Sequence, residues 1–374
     1  MTSVLFLIPS LDRGGAENVL VDLVNHLDPH KFRITVQTLF DQNAQKNRLR
    51  EGIEYRSFLY HQFHGNSRLL SLIPSPLLYR IIVRRHYDVV VSYLEGPTTH
   101  ILAGCPYSDS GRVSWVHVEM NRDRQMSVGF RSKREALSGY RSYDRIAFVA
   151  KTVRESFERV AGESFPNGVV LYNTIDSDMI LTKALEKLPD HVFSDYEFKI
   201  VSVGRIIDAK GFDRLAHVQK DLKAEGYHTH VYILGTGKDR EKLEAYATEN
   251  GISDSFTFLG FQENPYPYVA NADLFVCSSR REGFSTAVTE ALVLGVPVVS
   301  TNCSGAFELL GDNDEYGIVV NQNEEALLAG IKRLLDDPKL LAHYRRQAEI
   351  RGKAFRTENT VRAVEEMLTE LTGQ

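Results

Sequence analysis

The chain has 374 residues, 43% of them hydrophobic and 25% charged, the proportions of a folded protein long enough for two domains with separate cores. Cys105, Cys277 and Cys303 form an odd set without metal-ligand spacing, which excludes a disulfide-framed module and reads as buried thiols in a reducing compartment. The net charge of −5 is unevenly spread: residues 1–176 hold 22 lysines and arginines against 18 aspartates and glutamates, so the acidity lies in the second half.

The first residues, MTSVLFLIPS, lack the basic start and long apolar core of a signal peptide. No apolar run approaches the ~18 residues of a spanning helix, so the sequence predicts a cytoplasmic protein. VLFLIP (Val4–Pro9) is continuously apolar, as in a strand covered on both faces. The turn SLDRGGAE follows, then a helix with Val19, Leu20, Leu23, Val24 and Leu27 on one side. RITVQTLF, YDVVVSYLEG, RVSWVHVE and DRIAFVA are the next predicted strands, separated by helical or irregular stretches. After a weakly periodic segment, NTIDSDMILTKALEKLPDHVFSDYEF, the alternation resumes. The strands FKIVSVGRI, HVYILGTG, FTFLGF, ADLFVCSS and VPVVSTN are separated by four predicted helices, and the C-terminal segment is helical. Such alternation predicts α/β architecture with two doubly wound, Rossmann-like domains facing across a cleft. The expected boundaries are 1–178 for the first domain, 197–350 for the second, and 351–374 for a C-terminal helix returning to the first.

In open parallel sheets ligands bind beyond the carboxyl ends of the strands. Arg205 and Lys210, in VSVGRIIDAKGFDRL, follow one such end before a helix. A guanidinium fork and an ammonium point charge there suit a diphosphate, although alone they also read as solvated charges. GTGKDR, alone, reads as a tight turn. In SSRREGFSTAVTEALVLG, Ser285 or Thr286 is the expected N-cap of a helix whose first amides, after Phe284, can bind an anion. Glu282 precedes that helix and Glu290 lies within it. Eight residues span roughly 12 Å if helical. A pair of glycosidase carboxylates needs about 5–9.5 Å. The two glutamates therefore suit two parts of one extended ligand better than one hydrolysed bond.

Taken together these residues resemble the family-4 retaining glycosyltransferases of the GT-B fold. EGFSTAVTE has the family's two glutamates separated by seven residues, GRIIDAKGFD resembles its arginine–lysine diphosphate motif, SLDRGGAENVL its first glycine loop, and HVEMN the place of a histidine near the reacting bond. The resemblance runs nearly continuously from Phe198 to Asp337 and is looser before that. It implies transfer of a hexose-type sugar from a nucleoside-diphosphate sugar, of UDP or GDP type, with retention. It assigns Glu282 and His117 to the sugar near the reacting carbon, and Glu290 to the ribose. Arg205 and Lys210 fall to the diphosphate, the backbone at Phe284, Ser285 and Thr286 to the sugar and phosphate, with Gly14 and Gly15 approaching from the first domain. His117, alternating with Trp115, also reads as a buried structural histidine. No cofactor and no metal are expected: Asp176 and Asp178 lack a metal-site setting, and the departing phosphate would take the acceptor's proton.

Two basic stretches interleaved with apolar residues, Asn121–Arg145 and SPLLYRIIVRRHY, suit an anionic membrane surface. The implied acceptor is a lipid-linked saccharide, as in bacterial surface-polysaccharide assembly, met by a peripheral protein at the inner face of the membrane. No nucleic-acid module is recognisable. A nicotinamide-dependent oxidoreductase is disfavoured because DRGGAE and GTGKDR lack the G-x-G-x-x-G spacing. A nucleotide-sugar-binding protein without transfer activity, or a GT-B epimerase, stays open.

Overall fold

The computed structural model describes residues 1–12, 14–41, 44–59, 66–190, 192–193 and 198–373. The chain divides into two compact units, Met1–Ile175 with Thr357–Gln374, and Asp176–Arg356.

The first unit holds strands β1 (Thr2–Ile8), β2 (Phe32–Phe40), β3 (Glu54–Leu59), β4 (Val89–Ser92), β5 (Gly111–Val116), β6 (Arg145–Phe148) and β7 (Gly168–Val170). Its helices are α1 (Gly15–His26), α2 (Asn66–Ser71), α3 (Ser75–Ile82), α4 (Pro97–Leu102), α5 (Asp123–Met126), α6 (Lys133–Arg141) and α7 (Lys151–Ala161). The sheet order is β3-β2-β1-β4-β5-β6-β7, parallel throughout. Val4 to Ile8 are wholly buried, as a central strand covered on both faces requires.

The second unit runs α8 (Ser177–Lys183), β8 (Phe198–Val203), α9 (Phe212–Ala224), β9 (Thr229–Leu234), α10 (Arg240–Glu249), β10 (Phe256–Gly260), α11 (Tyr266–Ala270), β11 (Leu274–Cys277) and α12 (Thr286–Val293). It continues with β12 (Val298–Thr301), α13 (Ala306–Leu310), β13 (Ile318–Val320), α14 (Glu324–Asp336) and α15 (Pro338–Gly352). The parallel order is β10-β9-β8-β11-β12-β13. Ile200, Val231, Ile233 and Val276 of the sheet share a core with Leu215 and Val218 of α9 and Ile331 of α14. The last helix, α16 (Thr357–Thr372), belongs to the first unit. It packs on α1 and β4, its Thr357 Oγ1 donates to Ile175 O at 2.9 Å, and its Glu365 accepts from the Asp28 amide at 2.8 Å.

The strands β3, β7 and β13 are absent from the sequence reading. Each is the edge of its sheet or of only three residues, and β3 has no fully buried side chain, so no apolar run marks it. The weakly periodic segment expected at the boundary contains α8, while its residues 191 and 194–197 lie outside the described residues. Arg13 of the glycine turn lies outside them too. All three cysteines are free thiols, Cys277 and Cys303 buried and Cys105 half-buried.

The basic stretch 121–145 corrects an expectation. Its Met126, Phe130 and Tyr140 point into the core. Four of its seven cations find carboxylates: Arg131 pairs with Glu135, Lys133 with Asp123, Arg141 with Glu163 and Arg145 with Glu370. That segment turns three of its large apolar side chains inward and pairs most of its cations, so it is not a continuous apolar-basic face.

One backbone feature fixes the loops of the second unit. Gly211 has φ +64°, and a Cβ there would lie 2.1 Å from Ser278 O. Gly211→Ala is expected to destabilise by at least about 2 kcal/mol, from left-handed strain plus backbone overlap. Chemical denaturation followed by circular dichroism measures it. An unchanged midpoint would show that the two loops are free to separate.

Candidate active site

In the second unit the chain winds outward from β8 through β9 to β10, then returns to β11 beside β8 and winds the other way. At such a reversal the loops after the two central strands diverge and leave a crevice. The loop after β8 carries Arg205 and Lys210, and the loop after β11 carries Ser278 to Ser285. Backbone carbonyls of the first loop hold the second: Arg280 N donates to Ala209 O at 2.8 Å, Arg281 N to the same oxygen at 3.3 Å, Ser278 Oγ to Lys210 O at 3.0 Å, and an Arg280 guanidinium nitrogen to Asp208 O at 2.9 Å. Arg280 is itself held by a bidentate pair to Asp213 at 2.7 and 2.5 Å.

The joined loops bring Lys210 and Glu282 together. Lys210 Nζ lies 2.6 Å from Glu282 Oε1, and Ser279 Oγ donates to the same oxygen at 2.6 Å. Their side chains are 23% and 12% exposed, so neither is the solvated charge that the isolated motifs allow. Burial alone would lower the lysine's pKa. The Glu282 carboxylate overrides it and holds Lys210 above the ordinary lysine value, hence charged. Arg205 is exposed and carries no ion pair among the described residues.

Ser285 caps α12, accepting from the Val288 amide, so the amides of Thr286 and Ala287 remain at the open end of the helix. Phe284 is buried, its ring 5.8 Å from that of Phe355, which anchors the loop just before the cap. Val288, Thr289, Ala291 and Leu292 are buried, leaving Thr286 and Glu290, one turn apart, on the half-open side. Glu282 thus sits on the loop and Glu290 on the helix, with the capped helix end between them in the chain.

The first unit repeats the reversal, with β1 beside β4. Gly14 caps α1, and Gly15 begins it. A Cβ on Gly15 would meet no protein atom within 4 Å, so the protein itself imposes no need for glycine there. Beyond β5 the His117 amide donates to Glu95 Oε2 at 3.0 Å. Glu95, at the end of YDVVVSYLEG, has no sequence motif, and only its place just past a central strand would have marked it. Burial raises its pKa, partly offset by that hydrogen bond.

His117 is buried. Its ring lies 4.8 Å from that of Tyr93 and stacks at 6.2 Å on Trp115. Burial pushes its pKa down to about 3, so the imidazole is neutral. Three buried polar atoms converge here, His117 Nε2, Tyr93 Oη and Trp115 Nε1, without a hydrogen-bond partner among the described residues. Buried polar atoms are rarely left so, and an unsatisfied group costs about 1–3 kcal/mol. The cluster suits a polar ligand at the carboxyl end of the sheet.

Comparison with known proteins agrees with this geometry. Residues 13–179 match the family described as Glycosyltransferase Family 4, and residues 185–351 the Glycosyl transferases group 1. An N-acetylgalactosaminyltransferase of Campylobacter jejuni, whose name gives a diphospho-undecaprenol-linked saccharide as acceptor, is 39% identical over 188 residues, 50% of this chain and 49% of that protein. The lipopolysaccharide core glycosyltransferase LpsD of Rhizobium meliloti is 30% identical over 143 residues, 38% of this chain and 40% of that protein. The chain thus spans half or less of the length of these curated relatives. The crystal structure of Anabaena HepE with UDP and glucose superposes with a TM-score of 0.79 at 20% identity, covering 99% of this chain and 100% of that one. A Rickettsia africae glycosyltransferase gives 0.79 at 16%, covering 99% and 98%. With a Family 4 match over the first unit, a group 1 match over the second and GT-B neighbours along its whole length, the chain belongs to the family-4 glycosyltransferases of the GT-B fold.

Proposed function

We propose that this protein transfers a hexose-type sugar, with retention and without a metal, from a UDP or GDP sugar to a hydroxyl of a lipid-linked saccharide in polysaccharide or glycoconjugate biosynthesis. The observation that carries the reading is the buried Lys210–Glu282 pair beside the N-terminus of α12. Negative charge grows on the departing diphosphate. Arg205, Lys210 and the amides of Thr286 and Ala287 form a preorganised positive region for it. Glu282 does two things in this scheme: it orients Lys210, and its second carboxylate oxygen accepts from sugar hydroxyls. Glu290 accepts from the ribose diol. In the first unit, neutral His117 and the Glu95 carboxyl hydrogen-bond sugar hydroxyls, and Gly15 leaves backbone open to the diphosphate. The relatives from Campylobacter and Rhizobium support a lipid-linked acceptor and a role in surface glycoconjugates. Such an acceptor would place the protein as a peripheral one at the inner face of an anionic membrane.

Glu282→Gln is expected to reduce turnover by at least about 100-fold with a smaller change in donor KM. It also removes the charge opposite a buried lysine, so its melting temperature falls, which a change of a solvated glutamate would not cause. Glu290→Gln instead raises donor KM by about tenfold with kcat largely kept. Release of nucleoside diphosphate on adding lipid-linked acceptor measures both. It also separates transfer from donor binding alone or epimerisation, which release none. Near-normal turnover of Glu282→Gln would overturn the assignment.

His117 makes stability depend on pH. In the unfolded chain an imidazole takes a proton near pH 6.5, whereas in the fold His117 stays neutral to about pH 3. Between those values the unfolded state binds more protons, so stability falls as pH drops, by up to about 1.4 kcal/mol per unit from this group. Glu95 works in the opposite sense, its raised pKa costing stability as pH rises through it. His117→Gln should therefore flatten the loss between pH 6.5 and pH 4.5. Urea unfolding followed by Trp115, the sole tryptophan, reads it. An equal loss in variant and parent would mean that His117 titrates in the fold as it does in water.

A further inference from the structure

α2 and α3 pack on α4, the helix that begins two residues after Glu95. Their outward side is unusual. Leu69, Leu72, Leu77 and Ile81 are 53%, 65%, 49% and 39% exposed, while Leu78 and Ile82 of the same helix are buried. Leu77 and Ile81 are one turn apart, so they form one stripe, with Leu69 and Leu72 close by in the chain. Single exposed apolar residues need no explanation, but a run of four does.

The charged residues that this segment itself carries all have one sign. From Tyr55 to Tyr87 the sequence contains Arg56, Arg68, Arg80, Arg84 and Arg85 and no aspartate or glutamate. Arg68, Arg80 and Arg84 are exposed, with no carboxylate partner among the described residues; Arg84 Nε donates to Ile81 O, while Arg85 reaches Glu54 and His86 reaches Asp109. Stretch 121–145, with a similar composition, turns Met126, Phe130 and Tyr140 inside, leaves Val128 exposed, and pairs four of its seven cations with carboxylates.

We propose that the outward side of α2 and α3 is a docking surface for an anionic lipid bilayer. Leucine and isoleucine side chains enter the boundary between head groups and acyl chains, and the arginines above them fork onto lipid phosphates. Charge selects this occupant over a second copy of the chain. A two-fold contact through this side would set Arg68, Arg80 and Arg84 near their own counterparts with no acid between them. The proposal deepens the reading of a lipid-linked acceptor and rests on it for its purpose: docking would hold the active-site end of the sheet, through α4, near the bilayer that carries such an acceptor.

The test is co-sedimentation of the full chain, without donor or acceptor, with phosphatidylcholine vesicles and with vesicles containing about one third phosphatidylglycerol. Binding is expected only to the anionic vesicles, weakening at least about tenfold between low and high salt. Leu77→Ser/Ile81→Ser should weaken it about tenfold and Arg80→Ala roughly fivefold, with melting temperatures kept within about 2 °C. Arg124→Ala/Lys133→Ala, in the other basic stretch, should leave binding unchanged. Absence of binding to anionic vesicles at low salt overturns the proposal, as does binding indifferent to the substitutions on α3. So does a concentration-dependent dimer of the parent that Leu77→Ser/Ile81→Ser abolishes. Because neither nucleotide nor sugar enters the assay, failure of docking and failure of transfer activity stay distinguishable.

Discussion

The second unit is organised around one ion pair. Lys210 and Glu282 are 72 residues apart in the chain, yet their charged atoms lie 2.6 Å apart. Moving two charges out of water is costly, and their attraction repays the cost only when geometry is good and the remaining polar atoms are satisfied. Here Ser279 supplies the added bond, and the loops are held by Ser278, Arg280 and the backbone of Ala209. Gly211 is part of the same device. Its left-handed conformation turns the chain from the Lys210 loop into α9, and its missing side chain lets Ser278 O approach. A pair this constrained adds little net stability. Its value is in fixing a charged ammonium where a flexible lysine would wander.

Both sheets reverse their strand order at the centre, and both candidate clusters lie just past that reversal. Their electrostatics differ. The second unit gathers cations and helix amides around Glu282. The first gathers aromatic rings around a neutral imidazole and a carboxyl whose pKa is raised by burial. Groups of the first kind stabilise developing negative charge. Groups of the second kind recognise hydroxyls, through hydrogen bonds that burial strengthens. On the proposed reading, the cations and helix amides thus serve the leaving group, while the neutral imidazole and the carboxyls serve sugar hydroxyls.

Much of this was legible in the sequence, for identifiable reasons. Central strands such as β1 and β8 are covered on both faces and therefore appear as apolar runs, and Arg205, Lys210, Glu282 and Glu290 stand in motifs of fixed spacing. The edge strand β3 lacks such a run because it is only partly covered, and β7 and β13 are too short, at three residues, to stand out. Partners are harder to read than positions. Nothing in GRIIDAKGFD states that its lysine is neutralised by the glutamate of SSRREGF, because that contact is made by the adjacency of β8 and β11. Composition also omits direction. Asn121–Arg145 and α3 both mix arginine with apolar residues, but only burial shows that Phe130 and Tyr140 face inward while Leu77 and Ile81 face out.

On the proposed function, the neutrality of His117 constrains where the acceptor's proton goes. A group with a pKa of about 3 is a poor base for a sugar hydroxyl, since efficient proton transfer favours a pKa near the working pH. Glu282 is committed to Lys210 and Ser279 through one oxygen. Glu95 is shielded, and its pKa is raised by that burial. On the proposed reading, the strongest uncommitted base near the reacting bond is then the departing phosphate, whose basicity grows as the sugar leaves. Lys210 and Arg205 must balance two demands. Too much positive charge would make that phosphate a weak base, and too little would make it a poor leaving group. On the same reading, the Lys210–Glu282 pair tempers one cation with a carboxylate and so sets an intermediate field, and the exposed Arg205 supplies the charge that would engage and release the diphosphate.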